Sequence, residues 1–231
     1  MMAFPLPTGH ALRRLHAGDL PALHRLHEQV ARALPDPGMF RLFGGAERFL
    51  ADHLGPRGDS LGIVVGDDVV AYGALTLPAA GDTDNYAGDL GWAPARAARV
   101  ALLSAAMVAP AQRGNGLHPA LIAARIALAG ERGVPELLVR AAPANALSRR
   151  TLLEHGFALV WLGVQAEGSL RHVLWRPVDA PAWPAAGPDD TALTWAEADD
   201  LAQQQHLLQA GCIGVRMRAG DAAIGFAQRG H

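Results

Sequence analysis

The residues best placed to do chemistry in this chain stand together in Val108-Ala-Pro-Ala-Gln-Arg-Gly-Asn-Gly-Leu-His118. Gly114 and Gly116 allow a backbone turn to approach a ligand closely, and successive N–H groups in such a turn point outward. Arg113 adds a permanent cation. A helical pattern follows at once, so its N-terminal dipole adds to the attraction for negative charge. The chemistry predicted is the grip of a phosphorylated ligand.

The kind of turn narrows the ligand. The phosphate loop of nucleotide hydrolases ends in Gly-Lys-Ser/Thr, whereas Leu117 and His118 follow Gly116 here. The dinucleotide fingerprint Gly-x-Gly-x-x-Gly is met by Gly114 and Gly116, but its third position is Pro119. Both alternatives fail on residues.

What the stretch resembles is the coenzyme A loop of the GNAT superfamily of N-acetyltransferases, Val-x-Pro-x-x-Arg-Gly-x-Gly. Val108, Pro110, Arg113, Gly114 and Gly116 match it in register, and His118 stands where that family has Gly or Ala. A second stretch, Asn145-Ala-Leu-Ser-Arg-Arg-Thr-Leu-Leu-Glu-His-Gly-Phe157, resembles the family's Asn-x-x-Ala/Ser-x-x-x-Tyr-x-x-x-Gly-Phe segment. Asn145, Ser148, Gly156 and Phe157 match, and Leu152 replaces the tyrosine. By segment order the resemblance spans roughly the first three quarters of the chain.

The resemblance implies transfer of an acyl group from acetyl-CoA to an amine by direct attack in a ternary complex. It implies that the backbone at Met107 and Val108 pairs with the pantetheine arm and polarises the thioester carbonyl. N–H groups of Arg113, Gly114, Asn115, Gly116, Leu117 and His118 would hold the pyrophosphate, Asn145 would bond the pantetheine chain, and Ser148 would lie beside the cofactor. Arg113 also reads as a surface arginine, and Asn145 as a plain helix N-cap. With Leu152 at the tyrosine position no catalytic residue is assigned. Ser104, His118, Tyr86 and Asp89 are acid–base candidates by polarity alone, and a route through the lone Cys212 is disfavoured because it lies outside both motifs.

The elements that must position these groups are readable in outline. Val100–Met107 reads as a buried strand before the turn, and Pro119–Arg132 as a helix with Leu121, Ile122, Ile126 and Ala129 on an apolar stripe. Leu137–Ala141 reads as the next strand and Asn145 opens the next helix. Upstream, Ala11–His16 is a short strand, Asp19 an N-cap, and Leu20, Leu23, Leu26, Val30 and Leu34 recur at helical spacing until Pro35-Asp-Pro-Gly38. Ala46–Leu54 is a second short helix. Ser60–Val65 and Val69–Leu77 form a hairpin about Gly66-Asp67-Asp68. Pro78–Arg99, with Asp82, Asp84 and Asp89, exceeds the roughly 12 residues of an ordinary connection and reads either as an amine-attracting substrate loop or as a solvated surface loop. His24, His27 and Glu28 share helical turns, but no partner ligands accompany them, so no metal site is assigned.

Downstream, Ala158–Gly163 and Ser169–Val178 read as strands joined at Glu167-Gly168. Asp179–Thr194 is a Pro/Ala-rich linker, Trp195–Ala210 is helix-like, and Cys212–Arg218 with Ala222–Ala227 resembles a hairpin. The division expected is therefore an acyltransferase unit at 1–178, a linker at 179–194 and an extension at 195–231 that covers the site, makes a dimer contact or extends the sheet.

Composition bounds the rest. In 231 residues, 50% are hydrophobic and the formal net charge is -2, which gives no footprint for a polyanion. No apolar run approaches the roughly 18 residues of a membrane span, and Met1–His10 lacks the pattern of a secretory signal. A single cysteine suits a reducing cytoplasm. All 20 basic residues are arginine, which reads as GC-rich, bacterial codon usage rather than function. The expectation is an α/β protein with a GNAT-like mixed, mostly antiparallel sheet flanked by helices. Its activity would be N-acetylation of a small or amino-acid-like amine from acetyl-CoA, without nucleic acid, membrane or metal, and with a homodimer left open. A CoA-binding sensor without turnover, or an enzyme using a longer acyl-CoA, is the alternative.

Overall fold

Period-two alternation of apolar residues and period-3.6 stripes sort this chain into strands and helices that share one sheet. The computed structural model describes residues 5–40, 42, 44–165, 168–179 and 190–229. The strands are β1 (His10–Arg14), β2 (Gly58–Val65), β3 (Asp68–Thr76), β4 (Val100–Val108), β5 (Glu136–Ala141), β6 (Ala158–Val164), β7 (Leu170–Pro177), β8 (Thr194–Ala196), β9 (Cys212–Met217) and β10 (Ile224–Gln228). They lie in the order β1-β2-β3-β4-β5-β7-β6-β9-β10-β8. Among the described pairings only β4 and β5 run parallel.

Alternate residues of the central strands face different helices. On one side α1 (Leu20–Arg32) and α2 (Ala46–His53) bury Leu23, Leu26, Val30, Phe49 and Leu50 against Tyr72, Ala74, Ala105 and Met107. On the other, α4 (Leu117–Glu131) and α5 (Ala146–Glu154) bury Leu121, Ile122, Leu128 and Leu152 against Leu61, Ile63, Leu75, Leu103 and Leu137. Each fully buried Leu, Ile, Val, Phe or Met side chain among them contributes about 1.5–3 kcal/mol. Leu75 and Ala74, adjacent in sequence, serve the two different faces, as the pleat requires.

The hairpin, both motif helices and the mostly antiparallel sheet follow the sequence expectation. Three readings change. Asp19 precedes α1 but does not cap it; its carboxylate instead accepts from Arg13 (2.9 and 2.6 Å) and from the His16 N–H (2.9 Å). The guanidinium fork offers a stronger, charge-assisted partner than a helix amide. α4 starts at Leu117, directly after Gly116, and Pro119 sits inside its first turn, where a missing N–H costs nothing. Trp195 lies on β8, and the helix expected there, α6 (Leu201–Gln209), begins only where Asp200 caps it by accepting from the Gln203 N–H at 3.0 Å.

The remaining short helix, α3 (Pro94–Ala97), lies in the long connection before β4. Arg57 clamps that connection to the start of the hairpin through Asp82 (3.0 Å) and both oxygens of Asp84 (2.7 Å). In the C-terminal segment β9 meets β6 at Leu159↔Gly214, and β10 and β8 continue outward. Ala196, Cys212, Ile224 and Phe226 join the same buried cluster as α4 and α5. Most of the segment read as a linker, and Glu167 of the β6–β7 turn, lie outside the described residues.

Candidate functional site

Parallel β4 and β5 pair only over Val100–Leu102 with Glu136–Leu138. Beyond that they diverge, so among the described residues the edge of β4 from Leu103 onward has no strand partner on the β5 side. A cleft of about 560 Å³ opens there. Its walls include Ser104 to Val108 of β4, Val139 to Ala141 of β5, and the first turns of α4 and α5.

A bulge shapes the β4 wall. Ala74 pairs with Ala105 but Leu75 pairs with Leu103, which leaves Ser104 as the extra residue. Such a bulge turns a side chain out of the regular alternation, and Ser104 reaches the cleft. Behind it Arg125 of α4, 1% exposed, donates from Nε to Leu121 O (3.0 Å) and from one terminal nitrogen to Ala74 O (3.2 Å) and Ala105 O (2.9 Å). The guanidinium thus ties the helix to both strands at the register shift.

The glycine turn closes one end. Gly116, at φ 72°, is the N-cap of α4 and brings no side chain to bond the first-turn amides. The ladder begins with Ala120 N–H on Gly116 O at 3.1 Å. The earlier amides, orphaned at any helix start, stand where Gly114, Gly116, Leu117 and His118 line the cleft. Arg113 is exposed at the rim. His118 is held near pKa 4, chiefly by burial and then by the charges of Arg125 and His155, so it stays neutral at pH 7.

Asn145 caps α5, its Oδ1 accepting from the Ser148 N–H at 3.1 Å, and both residues line the cleft. The cap leaves the Nδ2 donors for a second partner. Leu152, at the position expected for tyrosine, is buried in the same wall.

The cleft therefore gathers Met107, Val108, Arg113, Gly114, Gly116, Leu117, His118, Asn145 and Ser148. Asn115 is not among its lining residues; its Nδ2 donates to Gln112 Oε1 at 3.3 Å. Of the acid–base candidates, Ser104 and His118 are in the wall. Tyr86 is buried in a separate apolar cluster with Val100 and Leu138, and Asp89 accepts from Gln165, both away from the cleft lining. Cys212 is buried on β9. The far end, formed by Leu34, Met39 and Phe40 after α1, had no mark in the sequence. Nor had Arg125, whose place beneath the bulge depends on a strand pairing far from it in the chain.

No protein-family model matches the chain, and no curated protein sequence does. Solved structures do match. The ribosomal-protein-S18-alanine N-acetyltransferase of Escherichia coli superposes with TM-score 0.54 at 18% identity over 78% of this chain and 97% of its own. A putative acetyltransferase from Salmonella typhimurium, solved with its cofactor acetyl-CoA, gives 0.56 at 17% over 79% and 99%. A putative acetyltransferase of the GNAT family from Desulfovibrio desulfuricans gives 0.54 at 19% over 73% and 99%. The chain has the GNAT fold, with a mixed, mostly antiparallel sheet flanked by helices. Nearly the whole of each neighbour is matched, so this chain carries additional sequence beyond the shared fold.

Proposed function

We propose that the chain is an N-acetyltransferase that moves the acetyl group of acetyl-CoA to the amine of a small or amino-acid-like acceptor, by direct attack in a ternary complex. The observation that carries this reading is the opening between β4 and β5, with the uncapped start of α4 at one end. An unpaired strand edge suits the amides of a pantetheine arm, and first-turn N–H groups suit a pyrophosphate. The Salmonella typhimurium neighbour, solved with acetyl-CoA, supports the same ligand. Bound acetyl-CoA supplies the activated acyl group.

The chain's own groups would then orient and polarise. Backbone at Met107 and Val108 pairs with the arm, and a β4 N–H polarises the thioester carbonyl. The Arg113 N–H is taken up by Pro110 O at 3.3 Å and Asn115 lies off the lining, so the amides of Gly114, Gly116, Leu117 and His118 would hold the pyrophosphate, with the Arg113 side chain adding charge from the rim. Asn145 donates to the pantetheine chain and Ser148 leaves room beside it. Leu34, Met39 and Phe40 exclude water at the acceptor end. The unit doing this is assigned to residues 1–178, with 195–231 an extension. The reading places the protein in the cytoplasm. Among the described residues no helix is long and apolar enough to cross a membrane.

Leu152 favours a second reading, a CoA-binding sensor without turnover, because it cannot donate a proton to a leaving thiolate. Calorimetric titration with acetyl-CoA tests the first step, comparing wild type with Gly116→Trp. Saturable binding lost in the folded variant supports the site, and folded wild type that does not bind overturns it. Acetyl-CoA turnover on a panel of amines then separates enzyme from sensor.

A further inference from the structure

Ser104, the bulged residue in the cleft wall, is the visible end of a chain of polar groups that runs into the core. Its hydroxyl is hydrogen-bonded to the Thr76 hydroxyl. Thr76 Oγ1 lies 2.7 Å from His53 Nε2, and His53 Nδ1 lies 2.7 Å from Phe49 O. Thr76 is 1% exposed and His53 3%. The three residues come from β4, β3 and α2, so only the fold joins them.

The direction of the chain is fixed at its buried end. A carbonyl only accepts, so His53 Nδ1 carries the proton that bonds Phe49 O. In the neutral ring Nε2 is then an acceptor, and the Thr76 hydroxyl must donate to it. With its proton committed, Thr76 accepts from Ser104. The other acceptor near Ser104, Leu102 O, is 3.5 Å away and too distant to compete. Ser104 thus has its lone pairs left to accept a proton from the cleft side.

We propose that Ser104, Thr76 and His53 form a proton relay in which Ser104 meets the acceptor amine, Thr76 passes the proton on and His53 stores it. This rests on the acetyltransferase reading and supplies the acid–base function that Leu152 cannot. As the neutral amine attacks, the N–C bond forms and the C–S bond breaks, with its electron pair leaving on the coenzyme A sulfur. The amine proton passes to Ser104 Oγ, the Ser104 proton to Thr76 Oγ1 and the Thr76 proton to His53 Nε2. The imidazolium then returns its proton along the same groups to the thiolate, so amide and free thiol are formed with no net proton change. A buried histidine needs no path to solvent under this scheme.

The surroundings of His53 fit temporary storage. Phe49 stacks on the ring at 3.9 Å between centroids. Burial, the largest influence, holds its pKa below the usual histidine value, with the bond to Phe49 O acting against it. Of the charged groups packed around it, Arg57 opposes protonation while Asp52 and Asp84 favour it. Asp84 is itself clamped by Arg57. The ring is therefore neutral at pH 7, and because burial disfavours the imidazolium it gives a stored proton back readily.

The test uses full-length Thr76→Val, Thr76→Ser, His53→Gln and Ser104→Ala, with circular dichroism to confirm folding and calorimetry to measure acetyl-CoA binding in each. Interrupting the relay should lower kcat by about 100-fold in Thr76→Val and His53→Gln while leaving acetyl-CoA affinity unchanged. Ser104→Ala, which lacks the cleft-side hydroxyl, should lose as much. Thr76→Ser, which keeps the hydroxyl, should retain activity. Wild type should show an acidic limb in kcat below the usual histidine pKa, and His53→Gln should lack it. The proton inventory in mixed H2O/D2O should be curved in wild type and linear in Thr76→Val. Folded Thr76→Val with wild-type kcat and acidic limb would overturn the relay alone. Wild type that fails to bind acetyl-CoA would overturn the function on which the relay rests.

Discussion

Arg125 on α4 donates to the carbonyl of Ala105 at 2.9 Å, at the point where β4 shifts register against β3. It does so through a gap beside Gly73, where a Cβ would stand 2.9 Å from Arg125 Nε and 3.0 Å from Cζ. Among the described residues Arg125 has no acidic partner, a costly state for a buried cation, but three carbonyls accept from it and the geometry it enforces is that of the cleft wall. Gly73→Ala should therefore lower the unfolding free energy by about 1–3 kcal/mol, the usual range for overpacking. Arg125→Met should relieve that clash, so the double variant should lose less than the sum of the single losses in urea denaturation. Strict additivity would mean that the two residues do not share this space.

The motif stretches were legible because their chemistry is local. A glycine turn ahead of a helix, and an asparagine three residues before a free amide, declare themselves at short spacing. The bulge did not, since Ser104 reads as one polar interruption in an apolar strand until β3 is placed beside it. His53 and Thr76 lay in segments correctly read as a helix and a strand, yet nothing in either segment paired them. Leu34, Met39 and Phe40 are unexceptional apolar residues whose role at the cleft end follows only from where α1 stops. The helical pattern of Leu201–Gln209 has no visible break back to Trp195, yet Asp200 caps that helix and leaves Trp195 on β8.

Asn145 caps α5 through Oδ1, and under the proposed function its Nδ2 would donate to a pantetheine carbonyl. Asn145→Ala should lose both, with a stability cost of about 1 kcal/mol for the cap and weaker acetyl-CoA binding. Asn145→Ser keeps an oxygen that can cap but lacks the amide donors. It should hold most of the stability and still bind acetyl-CoA more weakly. Calorimetry alongside thermal denaturation checks this, and a Ser variant with wild-type affinity would confine Asn145 to capping.

The acidic connection before β4 gives a different expectation from the substrate-loop reading. Asp82 and Asp84 are engaged by Arg57, and the loop does not line the cleft. Asp84→Ala should lower stability by about 1–2 kcal/mol, because it strips one Arg57 nitrogen of a partly buried carboxylate whose two oxygens both accept from it. The KM for an amine acceptor should be unmoved. A raised KM with intact stability would return the carboxylates to a substrate role.

His172 makes part of the stability depend on pH. It is fully buried on β7, its Nε2 donates to Gln204 Oε1 at 2.9 Å, and its Nδ1 has no hydrogen-bond partner among the described residues. Burial first, and then the charge of Arg149, pushes its pKa down to about 4, and the bond to Gln204 only partly opposes this. Between that value and the ordinary histidine value of about 6.5, the unfolded chain binds a proton that the native chain does not. The stabilisation is therefore fully present above about pH 6.5 and declines as pH falls toward 4, by at most about 1.4 kcal/mol per unit for one group. His118, held low in the same way, adds a parallel loss. His172→Gln removes one titration and keeps a polar partner for Gln204. It should be less stable than wild type at pH 7, and the gap should narrow in denaturant titrations toward pH 5, without closing the slope due to His118. Parallel curves for the two proteins would show that His172 is protonated alike in the folded and unfolded chain.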